Sequence, residues 1–239
     1  MGPVGEELQN ADAAVFNPEW GIGAARIINQ IRYPKADVIR EALDLYQTAF
    51  RKPSLTVYCL DFSGSMKGER EERLKEAMRL ILDQDRARQV MLQASPRDET
   101  VVILFNSQVI QERRVKGNDA RALRDLWATI DSMTPAGGTD IYSPVIRAYE
   151  LIQQRAGLGD CFPAVILMTD GESNTGRTFG DLEEYLKSRR IRGEVPTHAI
   201  SFGEASEAQL KALTEATSGR VFDGKKDLAT AFREVKGYN

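Results

Sequence analysis

With 239 residues, 42% of them hydrophobic and 28% charged, the chain can bury one substantial core but is short for two full domains. Its formal net charge is −3, and its 32 basic residues are interspersed among 35 acidic ones, which excludes the basic footprint of a nucleic-acid binder. No window approaches the roughly 18 consecutive apolar residues of a membrane span, and Met1-Gly2-Pro3-Val4-Gly5-Glu6-Glu7 lacks the basic-then-apolar order of an export signal, so a soluble chain without such a signal is expected.

Residues 1–34 mix Gly, Pro and Asn with scattered apolar positions and read as a loosely ordered lead-in. From Ala36 to Phe50 the apolar residues Val38, Ile39, Ala42, Leu43, Leu45 and Tyr46 recur at helical spacing until Lys52-Pro53 ends the segment. Residues 1–53 are therefore taken as an N-terminal extension with one helix at about 36–50, and residues 54–239 as the globular domain.

Leu55 to Leu60 is a short apolar, β-favouring run between Pro53 and a turn-rich stretch, as a buried strand should be. A long amphipathic helix is predicted from about Gly68 to Gln93, then strands at Thr100 to Phe105 and Val109 to Val115. Only Asn106-Ser107-Gln108 separates those two strands. A parallel crossover needs about a dozen residues or more, so they must pair antiparallel. Gln111, Glu112, Arg113 and Arg114 give the second of them an edge strand's composition.

Helical patterns follow at Ala120 to Ser132 and Ile141 to Arg155, a strand at Ala164 to Met168, and a helix at Leu182 to Arg190. A strand at Thr197 to Phe202, a helix at Glu207 to Ser218, a short strand at Arg220 to Phe222 and a helix at Leu228 to Lys236 complete the chain. Apolar strands alternating with helices define an α/β domain with a mostly parallel sheet covered on both faces. Cys59 falls near the end of one strand and Cys161 just ahead of another. Parallel neighbours would hold them far beyond the ~7 Å Cα separation of a disulfide, so both are expected free and buried.

In an open α/β sheet, ligands bind beyond the carboxyl ends of the strands, where strand order reverses. Three loops there carry polar side chains: Asp61-Phe62-Ser63-Gly64-Ser65-Met66, Gly137-Gly138-Thr139-Asp140 and Thr169-Asp170-Gly171-Glu172-Ser173-Asn174. Their inventory is carboxylates and hydroxyls, without His or Cys. Hard oxygen donors favour Mg²⁺, then Mn²⁺ or Ca²⁺, over zinc or copper. Gly64 and Gly138 let the loops bend tightly, and Asp140 and Glu172 are assigned to loop support or to a shell behind the metal. His198, the only histidine, lies in an apolar strand run and reads as a satisfied sheet residue.

Asp-x-Ser-x-Ser at 61–65, Thr139 and Asp170 resemble the metal-ion-dependent adhesion site (MIDAS) of von Willebrand factor A domains, and the element pattern agrees over about residues 54–237. The resemblance implies a Rossmann-like three-layer fold with sheet order 3-2-1-4-5-6. It also implies hydroxyl ligation by Ser63, Ser65 and Thr139, and ligation by Asp61 and Asp170 directly or through water. Asn17-Pro18-Glu19-Trp20-Gly21 and the helix around Ala42-Leu43-Asp44-Leu45-Tyr46-Gln47 are similar to the connecting stretch of bacterial proteins in which an A domain follows a solute-binding-like region. That likeness implies a piece of a larger, membrane-associated, extracytoplasmic parent, with a cytoplasmic protein as the alternative.

The function expected is a non-catalytic adhesion or assembly module whose cation ligates an Asp or Glu carboxylate of a protein partner. No catalytic residue is assigned. A metal-dependent hydrolase or phosphatase is the rival, weakened because position 63 is serine where an Asp-x-Asp loop needs its second carboxylate. A scaffold with a purely structural metal is the third reading.

Overall fold

Alternating residues of each central strand feed two separate apolar cores, and this places helices on both faces of one sheet. In the computed structural model, the described residues are 35–155, 158–189, 195–203, 207–225 and 228–235. The lead-in expected over residues 1–34, with its Asn17 to Gly21 stretch, and the end of the last predicted helix at Lys236 lie outside them. The chain divides into two compact units, Met1–Ala42 and Leu43–Asn239. Of the first, only residues 35–42 are described.

Helix α1 (Ala36–Leu45) has no buried residue and passes into a π turn at Tyr46–Phe50. Strand β1 (Ser54–Asp61) follows, then α2 (Glu69–Leu82), α3 (Gln84–Gln89), β2 (Glu99–Phe105), β3 (Val109–Lys116), α4 (Ala120–Asp131) and α5 (Tyr142–Gln153). The rest is β4 (Phe162–Thr169), α6 (Phe179–Arg189), β5 (Thr197–Ser201), α7 (Glu207–Ala216), β6 (Val221–Asp223) and α8 (Leu228–Val235). The six strands lie in the order β3-β2-β1-β4-β5-β6. All neighbours are parallel except β2 and β3, whose antiparallel register ends at Phe105↔Val109. The three-residue connection forced that hairpin, and the sheet order is the one the resemblance implied.

Leu55, Val57 and Cys59 of β1 face a core completed by α5, α6 and α7, through Val145, Tyr149, Leu182 and Leu213 among others. Tyr58 and Leu60 face the opposite core, completed by α2, α4 and α8 through Leu74, Met78, Leu126 and Phe232. A strand covered on both faces is apolar along most of its length, which is why β1, β2 and β4 read as near-continuous apolar runs even with Thr56 and Thr100 buried among them. The edge strand β3 is only partly buried, as its charged composition required. Cys59 and Cys161 are both free and buried.

One prediction is corrected. The helix expected from about Gly68 to Gln93 ends at Leu82 and restarts at Gln84. Asp83 breaks it by turning extended and accepting hydrogen bonds from the Asp85 and Arg86 amides, so it caps the second helix instead of continuing the first. The periodic pattern runs straight through this cap.

Candidate metal centre

Strands β1 and β4 are neighbours from which the sheet grows in opposite directions, so the crevice beyond their carboxyl ends is the topological switch point. Asp61 is the last residue of β1, and Asp170 immediately follows β4. Phe62 and Met66 are buried at 1% and 0% exposure and pin the first loop into the core. Ser65 between them stays exposed. The loop is also tied sideways: Phe62 N donates to Phe105 O, Ala136 N to Phe62 O, and Gly64 N to Gly137 O at 3.0 Å. Backbone bonds thus join the Asp-x-Ser-x-Ser loop to the Gly-Gly-Thr loop.

The predicted ligands converge. Ser63 Oγ lies 3.1 Å from Ser65 Oγ, and Ser65 Oγ donates to Asp170 Oδ1 at 2.9 Å. A Cβ built on Gly171 would lie 3.4 Å from Ser65 Oγ and 3.7 Å from Thr139 Oγ1, so these hydroxyls flank one point. Adjacent ligands of an octahedral Mg²⁺ with bonds of about 2.0 to 2.1 Å stand about 3 Å apart. The observed oxygen spacings match that edge length. Among the described residues no group of three or more His, Cys, Asp or Glu side chains could hold a metal, which leaves this hydroxyl-rich set with two carboxylates.

Asp61 is fully buried. It accepts from Ser63 N at 2.7 Å and Thr169 Oγ1 at 2.5 Å, and among the described residues no ion pair involves it. Burial pushes its carboxyl up to about 6, the nearby Asp170 charge adds to that, and the hydrogen bonds from Thr169 and Ser63 only partly oppose it. A carboxylate buried among neutral donors is stabilised by a cation beside it.

Thr139, at 3% exposure, is held by the third loop. Its N donates to Asn174 Oδ1 at 3.0 Å, and its carbonyl accepts from Asn174 N at 2.9 Å and Thr175 N at 3.2 Å. Gly138 fits because a Cβ there would meet Thr175 Cγ2 at 2.9 Å and Asn174 Oδ1 at 3.0 Å. Asp140 is buried and braces the start of α5, accepting from Tyr142 N, Ser143 N and Ser143 Oγ, and it also accepts from Arg177 N. Gly176 is required beside it: φ is +74°, and a Cβ would fall 1.9 Å from Asp140 Oδ2. Glu172 is exposed. His198 sits within β5, paired in register with Ile166 and packed on Phe222, away from the loops.

Three contributors escaped sequence reasoning. Thr169 supports Asp61, Asn174 braces Thr139, and Arg70 ion-pairs with Asp170 Oδ2 while also donating to Ser65 O at 3.2 Å. Thr169 could have been found from its place at the end of β4; nothing in the sequence marked Arg70 apart from other helix-surface arginines.

An open, mostly parallel sheet with polar loops gathered at its switch point defines a Rossmann-like α/β class of domain. Residues 56–172 match the family model described as the von Willebrand factor type A domain. Residues 56–172 thus carry the domain of that family, which is known for metal-dependent adhesion and protein interaction. It is 31% identical to inter-alpha-trypsin inhibitor heavy chain H1 of Mesocricetus auratus over 157 residues, covering 62% of this chain and 16% of that protein. The chain thus spans about a sixth of that relative's length. Among solved structures it is similar to a von Willebrand factor type A protein from Catenulispora acidiphila, with TM-score 0.58 and 21% identity over 78% of this chain and 42% of that one. It is also similar to proximal thread matrix protein 1 of the mussel byssus with a zinc-occupied MIDAS motif, with TM-score 0.53 and 20% identity over 77% and 47% of the chains. These structural likenesses concern the fold.

Proposed function

We propose that Asp61, Ser63, Ser65, Thr139 and Asp170 hold one divalent cation, Mg²⁺ in preference to Mn²⁺ or Ca²⁺, and that the domain uses it to bind an acidic side chain of a protein partner. The observation that carries this reading is the oxygen spacing of 2.9 to 3.1 Å along Ser63, Ser65 and Asp170, next to a buried Asp61 that makes no ion pair among the described residues. When bound, the cation supplies a Lewis-acidic attachment point for a carboxylate. Two ligand carboxylates and a divalent ion are together near neutral, so an incoming anion is not repelled.

The chain's own residues do the positioning. Phe62 and Met66 anchor the first loop, Asn174 orients Thr139, and Thr169 orients Asp61. A cleft of about 550 Å³ opens next to Asn174, between the loop through Arg177 and helix α7, and gives a partner room to extend past the cation. No histidine stands at the crevice to act as a base, which favours binding over hydrolysis. The attached parts of a longer protein would decide whether the role is cell adhesion or assembly, and where in the cell or outside it takes place.

Retention on immobilised poly-glutamate tests the proposal. The purified domain should be retained in Mg²⁺ and released by EDTA, and Asp170→Ala should not be retained in either. Equal retention of both proteins, with and without EDTA, would overturn it.

A further inference from the structure

Arg70 lies in the first turn of α2, five residues beyond Ser65, and its guanidinium reaches the site from the side. Its Nη1 contacts Asp170 Oδ2 and donates to Ser65 O at 3.2 Å. The Asp170 side chain is completely buried, whereas that of Arg70 is 45% exposed. The other Asp170 oxygen is the one that accepts from Ser65 Oγ. One arginine thus grips two of the five residues assigned to the cation.

We propose that Arg70 is the site's own cation, and that a divalent ion is taken up in exchange for it. The inference rests on the cation-site reading above and adds the residue that sets its affinity. A guanidinium and a divalent ion that both lie close to the buried Asp170 carboxylate repel one another. The ion therefore works against an existing pair, and its net affinity is the difference between two favourable interactions.

Arg70 is built to let go. Its head already borders a cleft of about 240 Å³ lined by Glu69, Arg73, Phe202 and Lys225, so it can turn into solvent without giving up a buried position. Glu69 in that cleft is already engaged by Arg73 through Nε at 3.1 Å and Nη2 at 2.6 Å. Arg73 thus stands as a neighbour of equal charge in the same cleft, with its carboxylate contacts directed to Glu69, and serves as an internal control.

The experiment is calorimetric titration of Mg²⁺, and separately Mn²⁺, into EDTA-stripped and desalted protein, alongside its melting temperature before metal is added. For Arg70→Gln, cation affinity should rise about tenfold, the scale of a typical coupling between two sites. The same variant should melt lower than the wild type before metal is added, because Asp170 has lost its partner. A residue with a merely structural role would lower both quantities. Arg73→Gln removes the same charge from the same cleft and should leave cation affinity within about twofold, and Arg70→Lys should fall between wild type and Arg70→Gln. Equal or weaker cation binding by Arg70→Gln would overturn the exchange and leave the site intact. No uptake by wild type or by Arg70→Gln at millimolar metal would overturn the site itself.

Discussion

Asp61 and Asp98 are both buried carboxylates at loops flanking the sheet, and they are satisfied in opposite ways. Burial raises the Asp98 carboxyl, but hydrogen bonds from Arg51, Ser54 N and Ser95 N and the Arg51 charge outweigh it and hold it below the ordinary carboxylate value. Its unfolded form takes up a proton near the ordinary value and its folded form only at lower pH. The stability it contributes is therefore present above the unfolded value and is lost as pH falls through the folded one. Asp98→Asn should lower stability at pH 7 by roughly 3 kcal/mol, as for other buried pairs with one partner removed, and its deficit relative to wild type should shrink toward pH 3. Urea unfolding at a series of pH values measures this; a deficit that stays constant would contradict it. Asp61 has the reverse sign. Its folded value of about 6 stands above the ordinary carboxylate value, so its burial cost is absent in acid and grows as pH rises between them. In EDTA at pH 7, Asp61→Asn should melt a few degrees higher than wild type, corresponding to roughly 1 to 3 kcal/mol, and should gain nothing from Mg²⁺. A lower melting temperature in EDTA would mean that the bonds from Ser63 N and Thr169 Oγ1 outweigh the desolvation of the carboxylate.

The connections between elements carry the site, and the Asn174 side chain from the third loop helps brace the one holding Thr139. Asn174 closes two hydrogen bonds with the Thr139 backbone, one in each direction. Because its side chain is replaceable without touching a ligand, Asn174→Ala should weaken Mg²⁺ binding about tenfold or more, as removal of a ligand's supporting partner does, with little change in melting temperature in EDTA. Unchanged affinity would show that the Asn174 N and Thr175 N donors suffice. The sequence made the strands and the loops of the candidate site legible for definite reasons. β1, β2 and β4 are predominantly apolar because both faces are covered, the hairpin is dictated by its three-residue link, and Asp61, Ser63 and Ser65 sit at fixed spacing from the last residue of a strand onward. It could not show the break at Asp83, since a capping aspartate on a polar helix face leaves the apolar period intact. Arg70 was hidden for a different reason. Its partner Asp170 is 100 residues away, and charge on a first helical turn is ordinary.

At the scale of the molecule, the five assigned ligands come from three connections, β1 to α2, α4 to α5, and β4 to α6. A cation held by all three cross-links parts of the chain that an unfolded protein leaves far apart, so its binding energy adds to folding stability. At a free Mg²⁺ concentration about 100-fold above the dissociation constant, the gain is ~2.7 kcal/mol. For a domain near 200 residues each kcal/mol is worth ~2 to 4 °C, so the melting temperature should rise by roughly 5 to 10 °C. Local protection should follow the same geometry: hydrogen exchange should slow in the loops through Ser63, Thr139 and Asn174. It should remain unchanged at the opposite end of the sheet, where Lys52 packs over the Phe162 ring. The separation matters because a nonspecific salt effect would stabilise both ends alike. With a net charge of −3, the protein also offers an acidic partner no long-range attraction, so recognition must come from short-range groups at the crevice. A melting-temperature rise that persists in Asp170→Ala, or exchange slowed equally at both ends of the sheet, would place the Mg²⁺ effect elsewhere on the protein.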